Sequence, residues 1–211
     1  MKALIVLNGK ILDLNRLRVV GKEVDFILSA DGGTNHCLEA SLIPDLVVGD
    51  LDSISEESIQ IIKKNGIPIE KFPVKKDKTD SELASDYVID KGFKDITIMG
   101  AIGNRMDHTL ANILLLTKLT EKGIKGRIID GNNTIYLVED ELTLENQAGF
   151  YVSVIPITNS GILISLKGFE YELENTEIKF GSTLGISNRI VKNKGIVKVH
   201  KGRGLVIVSK D

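Results

Sequence analysis

The sequence predicts an α/β fold: an N-terminal parallel-sheet, Rossmann-like domain followed by an all-β, sandwich or barrel-like C-terminal domain. Three observations predict it. Up to about residue 130, short apolar runs alternate with segments of helical period, the pattern of parallel strands joined by helices. Beyond the "DGNNT" stretch every apolar run is strand-like and is bounded by Gly, Asn or charged turns, so no helix is needed there. The 211 residues are 42% hydrophobic, enough chain for one large or two modest cores. The expected division is residues 1–131 and residues 132–211, with no low-complexity linker between them.

The elements follow in order. "ALIVLN", "VDFILSA", "DLVVGD", "IPIEKF", "DITIMG" and "GRIID" read as strands, most too continuously apolar to be half-exposed, so both faces of their sheet should be covered. Helices are expected over residues 34–41, 55–64, 80–91 and 107–122, the last with the long apolar face of "LANILLLTKL". "SISE" (residues 53–56) and "TDSE" (residues 79–82) both match a capping box, in which a hydroxyl and a carboxylate satisfy free N–H groups at a helix start. The second half reads as strands through "TIYLVED", "ELTLEN", "GFYVSVIPIT", "GILISLKGFEYEL", "TEIKFG" and "ISNRIVKNKGIVKVHKGRGLVIVSK".

Composition excludes several classes of function. A net charge of −2 and a pI near 6.0, with no broad basic stretch, argue against nucleic acid as a partner. The apolar run in "MKALIVLNGK" is too short for a signal peptide or a membrane span, so no membrane association and a cytoplasmic location are expected. Cys37 is the only cysteine, which rules out disulfides and cysteine-rich metal sites within the chain; it reads as a packing residue.

In an open parallel sheet, ligands sit outside the carboxyl ends of the strands. Asp31, the pair Asp50 and Asp52, the pair Asp77 and Asp80, and Asp107 all lie just beyond strand candidates. Carboxylates from four strand ends aimed at one edge repel by several kcal/mol, on the order of 4 for a contacting pair in a partly buried site. A cation among them resolves the conflict. Mg²⁺ suits best, being held by one or two carboxylates with waters and substrate phosphates. Each motif also has a plainer reading. Asp31 in "ADGGTN" serves as a helix cap, the "GDLDS" acids as a solvated turn, and Asp80 as an acid favoured by the helix dipole. In "GAIGNRMDHTLAN", Arg105 and the N–H groups of a helix start suit phosphate oxygens; His108, like His36 and His200, reads by default as a surface or packing residue. No GxxxxGK[ST], GxGxxG or GxSxG pattern is present.

Taken together, "ADGGTN", "IPDLVVGDLDSIS", "KDKTDSELA", "GAIGNRMDHTLANILLL", "GFEYEL" and "GISN" resemble the thiamine pyrophosphokinase (thiamine diphosphokinase) family, in its order and over nearly the whole length. The resemblance implies Mg²⁺-dependent transfer of diphosphate from ATP to the hydroxyl of thiamine, releasing AMP, in a homodimer with active sites between subunits. Asp50, Asp52 and Asp80 correspond to metal-binding acids. Asp31, Thr79, Arg105, Asp107 and His108 correspond to the ATP-handling and catalytic surroundings, and Ser187 and Asn188 to an element of the thiamine site. Asn104 stands where the family often has glycine, and Arg189 where an acid is common. On the residues alone, a metal-dependent phosphoesterase and a non-catalytic nucleotide-binding module remain as alternatives.

Overall fold

The computed structural model describes residues 1–71 and 77–211. Phe72 of the "IPIEKF" run, and Lys75 and Lys76 ahead of "DKTDSELA", lie outside the described residues. The chain divides into two compact units, Met1–Gly131 and Asn132–Asp211.

The first unit alternates β1 (Lys2–Val6), α1 (Leu14–Lys22), β2 (Phe26–Ala30), α2 (Gly33–Glu39), β3 (Leu46–Gly49), α3 (Glu56–Lys64), β4 (Ile69–Lys71), α4 (Asp80–Asp90), β5 (Asp95–Met99), α5 (Met106–Glu121) and β6 (Lys125–Asp130). Its strands lie in the order β4-β3-β2-β1-β5-β6, every pair parallel. Successive strand residues face opposite sides, so β2 turns Ile27 toward one layer of helices and Phe26 toward the other. Ile27, Leu4 and Val6 join Leu17 of α1 and Cys37 of α2 in one core, while Val47 packs with Ile59 and Ile62 of α3. On the opposite side Phe26 stacks on Tyr87 of α4, ring centroids 6.2 Å apart. Both faces are thus covered, as the continuous apolar runs require, and Cys37 is buried in the core.

Two local expectations are corrected. The sequence reading placed no helix between the first two strands, yet α1 forms there, with the Asp13 carboxylate accepting from the Arg16 N–H (2.9 Å). Its short amphipathic stripe carries one fully buried apolar side chain, Leu17, which is why the pattern is faint. The "SISE" box is not used either. Ser55 caps α3, accepting from the Ser58 N–H at 3.1 Å, because the loop runs two residues further before turning helical. The hydroxyl half of the second box is used: the Thr79 hydroxyl accepts from the Glu82 N–H (3.3 Å) at the start of α4, while the Glu82 carboxylate pairs with Lys118.

The second unit contains β7 (Asn133–Val138), β8 (Glu141–Glu145), β9 (Tyr151–Pro156), β10 (Ile162–Lys167), β11 (Leu173–Ile178), β12 (Lys194–Lys201) and β13 (Gly204–Ser209). β13 pairs antiparallel with β7 and β9, and a separate antiparallel sheet runs β11-β10-β12-β8. Val152, Val154, Val206 and Val208 from the first set meet Ile164, Leu166, Val197 and Val199 from the second in one core. β9 buries every second residue, the signature of a strand with one face inward. Burying each such side chain stabilises by roughly 1.5–3 kcal/mol. The expected fold class is therefore observed: an α/β parallel-sheet unit and an antiparallel β sandwich.

Candidate active site

The strand order of the first unit reverses at β1. The chain winds outward from β1 through β2, β3 and β4, then returns to place β5 on the other side of β1. The chain therefore leaves β1 and β5 for helices on opposite faces of the sheet, and a crevice forms at the carboxyl ends of the strands. A cleft of about 430 Å³ occupies this position. Asp31, Thr79, Asp80, Arg105 and His108 of the sequence-predicted set line it.

Its floor is made by backbone. Beyond the end of β1, the Leu7 N–H donates to the Met99 carbonyl (2.8 Å), Gly9 to Gly100 (2.8 Å) and Lys10 to Ile102 (3.2 Å). A Cβ at Gly9 would overlap the Gly100 carbonyl, so glycine is what lets the two loops close on each other. The β5–α5 loop is pinned from helix α5. The Asn112 amide donates to the Ala101 carbonyl at 2.8 Å, and the Thr109 hydroxyl accepts from the Gly103 N–H at 3.2 Å. These bonds hold the turn ahead of Arg105.

One wall is acidic. Asp31 does not cap α2; Gly32 takes that position. The Asp31 carboxylate turns instead toward β3, accepting from the Leu51 N–H at 3.3 Å. A Cβ at Gly49, where φ is 125°, would overlap Asp31 Oδ1, which makes glycine obligatory beside this acid. Asp80, the first residue of α4, lies against Asp31. The Asp31 carboxyl is pushed up to about 6, first by burial, then by the charge and hydrogen bond of Asp80, with Asp50 adding a smaller push and the Leu51 N–H pulling it back. Three carboxylates thus share one field.

The remaining residues fall elsewhere. Asp52 is exposed, its N–H donating to Asp50 Oδ1 at 3.2 Å and its carboxylate accepting from the Ser53 hydroxyl at 2.9 Å. Asp107 does not line the cleft. It accepts from Arg105 through Nε (3.3 Å) and Nη2 (2.6 Å), and this pairing holds its carboxyl below the usual carboxylate range. Asp77 is exposed and is not part of the lining. In the second unit Asn188 is buried. Its Oδ1 accepts from the Tyr171 N–H (3.1 Å) and its Nδ2 donates to the Tyr171 carbonyl (2.7 Å), while the Ser187 N–H donates to Ser153 Oγ. Arg189 stacks over the Tyr151 ring at 4.6 Å and donates to its hydroxyl at 2.6 Å.

Asn8, Gly9 and Ser81 also line the cleft and were not singled out from the sequence. The "NG" that ends the first apolar run was the available signal for the first two. His36 sets its ring against the Gly9 carbonyl (Nε2 to O, 2.9 Å), and His200 pairs with the Ser165 hydroxyl at 2.8 Å, both in packing roles.

A divalent cation is tested by this donor set. Asp31, Asp80 and Asp50 offer hard oxygen donors whose mutual repulsion a cation would relieve, and that chemistry fits Mg²⁺. Among the described residues no group of three or more His, Cys, Asp or Glu side chains is gathered closely enough to hold a metal ion by itself.

The family model described as "Thiamin pyrophosphokinase, catalytic domain" matches residues 17–128, and that described as "Thiamin pyrophosphokinase, vitamin B1 binding domain" matches residues 139–206. The chain belongs to the thiamine pyrophosphokinase family of enzymes. It is 37% identical over 186 residues to the thiamine pyrophosphokinase of Bacillus subtilis, covering 87% of each chain. A crystal structure of thiamine pyrophosphokinase from Bacillus subtilis superimposes with a TM-score of 0.90 at 33% identity over the full length of both chains. That from Geobacillus thermodenitrificans gives 0.87 at 31%, covering 100% of this chain and 98% of the other. Within this thiamine pyrophosphokinase family fold, the catalytic-domain match falls in the unit that carries the cleft, and the B1-binding match in the sandwich. No helix among the described residues is long and apolar enough to cross a membrane.

Proposed function

We propose that the protein transfers the diphosphate of ATP to the hydroxyl of thiamine, giving thiamine diphosphate and AMP, with Mg²⁺, in the cytoplasm. The observation that supports this reading is the cleft itself, whose lining includes the neighbouring acids Asp31 and Asp80 and also Arg105. Family membership supplies the reaction class.

Asp50, Asp52 and Asp80 would hold Mg²⁺. When bound, the ion offsets phosphate charge and polarises the phosphorus under attack. Arg105 uses part of its fork on Asp107 and keeps further N–H donors for phosphate oxygens. The Asp107 carboxylate fixes the plane of that fork. Asp31 lines the cleft, whereas Asp107 is held by Arg105, so Asp31 is the acid placed to accept or orient the thiamine hydroxyl proton. The acidic wall also suits a substrate with a permanently positive ring. His108 contributes to the ATP side of the cleft, as do Thr79 and Ser81 at the start of α4. Ser187 and Asn188 belong to the thiamine-binding element, where the structure assigns the Asn188 side chain to holding Tyr171.

The same reading makes the protein a homodimer. Met106, Leu110 and Leu114 of α5 are exposed at helical spacing, an apolar stripe that a second copy would cover. Sedimentation of wild type and Leu110→Glu tests this, and a monomeric wild type would refute it.

The deciding experiment is mass analysis after incubation with ATP, Mg²⁺ and thiamine. Thiamine gains two phosphoryl groups and the nucleotide product is AMP. Appearance of ADP or free phosphate instead would point to a kinase or phosphoesterase and end this reading.

A further inference from the structure

Asn35, on helix α2, does not line the cleft, yet it holds the loop that carries Asp50 and Asp52. Its Nδ2 donates to the Ser53 carbonyl at 3.0 Å and its Oδ1 accepts from the Ser55 N–H at 3.1 Å. One planar amide thereby grips the chain at two points, two residues apart.

This loop has reason to be gripped. Leu51 stands at φ 72°, in the left-handed region that a branched, bulky residue occupies only when its surroundings enforce it. Two of the loop's other bonds are long and run to carboxylates: Leu51 N–H to Asp31 Oδ1 at 3.3 Å and Asp52 N–H to Asp50 Oδ1 at 3.2 Å. The shorter Ser53 hydroxyl bond to Asp52 (2.9 Å) stays within the loop, and Ser55 ties only its far end to Ser58 of α3. Asn35 ties the middle of the loop to α2, which is anchored by buried Cys37 and by the buried hydroxyl pair of Thr34 with Ser29 (2.9 Å).

We infer that Asn35 is a positioning residue for the cation site: its amide fixes the 51–55 loop so that Asp50 and Asp52 are presented together. This rests on the proposed function for the identity of the ion, but not for the tether. Groups that orient metal-binding side chains without touching the metal typically govern affinity by 10–100-fold.

Asn35→Ala and Asn35→Asp test it. Asn35→Asp keeps the shape and the acceptor for Ser55 but loses the donor for Ser53. In metal-free protein, hydrogen exchange at residues 51–55 becomes about tenfold faster in Asn35→Ala, with the strands of the parallel sheet unchanged. In the assay with ATP and thiamine, half-saturating Mg²⁺ rises about tenfold, KM for thiamine stays at the wild-type value, and excess Mg²⁺ restores most of kcat. Asn35→Asp shows the same changes at smaller size, and supplies both readouts if Asn35→Ala does not fold. Wild-type exchange at 51–55 in a folded variant, or an unchanged Mg²⁺ requirement, overturns the inference. So does a loss of kcat that excess Mg²⁺ leaves in place. If wild-type protein forms no thiamine diphosphate, the function is refuted, while the exchange experiment still judges the tether.

Discussion

Helix α4 carries two acidic sites in opposite surroundings. At its first residue, Asp80 lies against Asp31, and the neighbours that act on the Asp31 carboxyl, beyond burial, are chiefly carboxylates; it is pushed up to about 6. Farther along the same helix, burial would also raise the Asp86 carboxyl, but hydrogen bonds and charge from Lys118 and Lys78 outweigh it and hold Asp86 below the usual range. Glu82 shares Lys118 at 3.1 Å. What differs is the surroundings: Asp31, more deeply buried, faces the Asp80 carboxylate at the start of α4, whereas Asp86 is held by two lysines. Along the body of α4, acids are neutralised from within the chain and tie α4 to α5. At its start, Asp80 stands against another carboxylate.

The strongest way to break this comparison is to neutralise the two acids that line the cleft, Asp31 and Asp80, and Asp50 beside them. Asp31→Asn, Asp50→Asn and Asp80→Asn each lower turnover by at least about 100-fold, read as thiamine diphosphate formed, while circular dichroism shows a folded protein. Turnover close to wild type in these variants would show that the acids are ordinary surface charge. Arg105→Lys sharpens the contrast from the basic side chain of the same lining. A point charge replaces the planar fork, and KM for ATP rises about tenfold in steady-state kinetics. The compensated cluster should behave in reverse: Lys118→Met leaves kcat unchanged and lowers stability by about 1 kcal/mol in urea unfolding, a value reduced by partial exposure.

The smallest effect is in acid. The Asp86 carboxyl titrates near 3.8 in the unfolded chain and lower in the folded one, so its contribution is complete above the unfolded value and is lost as pH falls through the folded value. The stability gap between wild type and Asp86→Asn therefore narrows below about pH 4, by under about 1 kcal/mol given its exposure to solvent. A gap that widens in acid would reverse the sign assigned to the lysines.

What the sequence discloses follows the length scale of each feature. Continuous apolar runs such as "DITIMG" disclose the buried parallel strands, because a strand covered on both faces has no polar alternation to confuse it. The sandwich shows through the alternation of "YVSVIP" and the Gly-rich turns. Helix α1 was missed because a nine-residue element with Arg and Lys throughout buries only Leu17 and Gly21. Of the acids at strand ends, Asp31 and Asp80 line the cleft, since a sheet edge gathers whatever follows its strands, whereas Asp52, Asp77 and Asp107 lie outside the lining. What local sequence does not disclose is orientation. Nothing in "NRMDH" says that Asp107 turns toward Arg105 and away from the cleft. Asn8 and Gly9 were hidden for a related reason: their importance comes from β5 lying alongside β1, a neighbour about ninety residues away in the chain.

The rungs that continue from β1 and β5 past the formal strand ends have a practical consequence for anyone wishing to reshape the cleft. That platform is knitted from main-chain atoms, so side-chain replacement there has little to act on and much to disrupt. Ser81 and Asn104 line the cleft without supplying any of those rungs, so libraries built at these two positions should alter its interior and leave the platform intact.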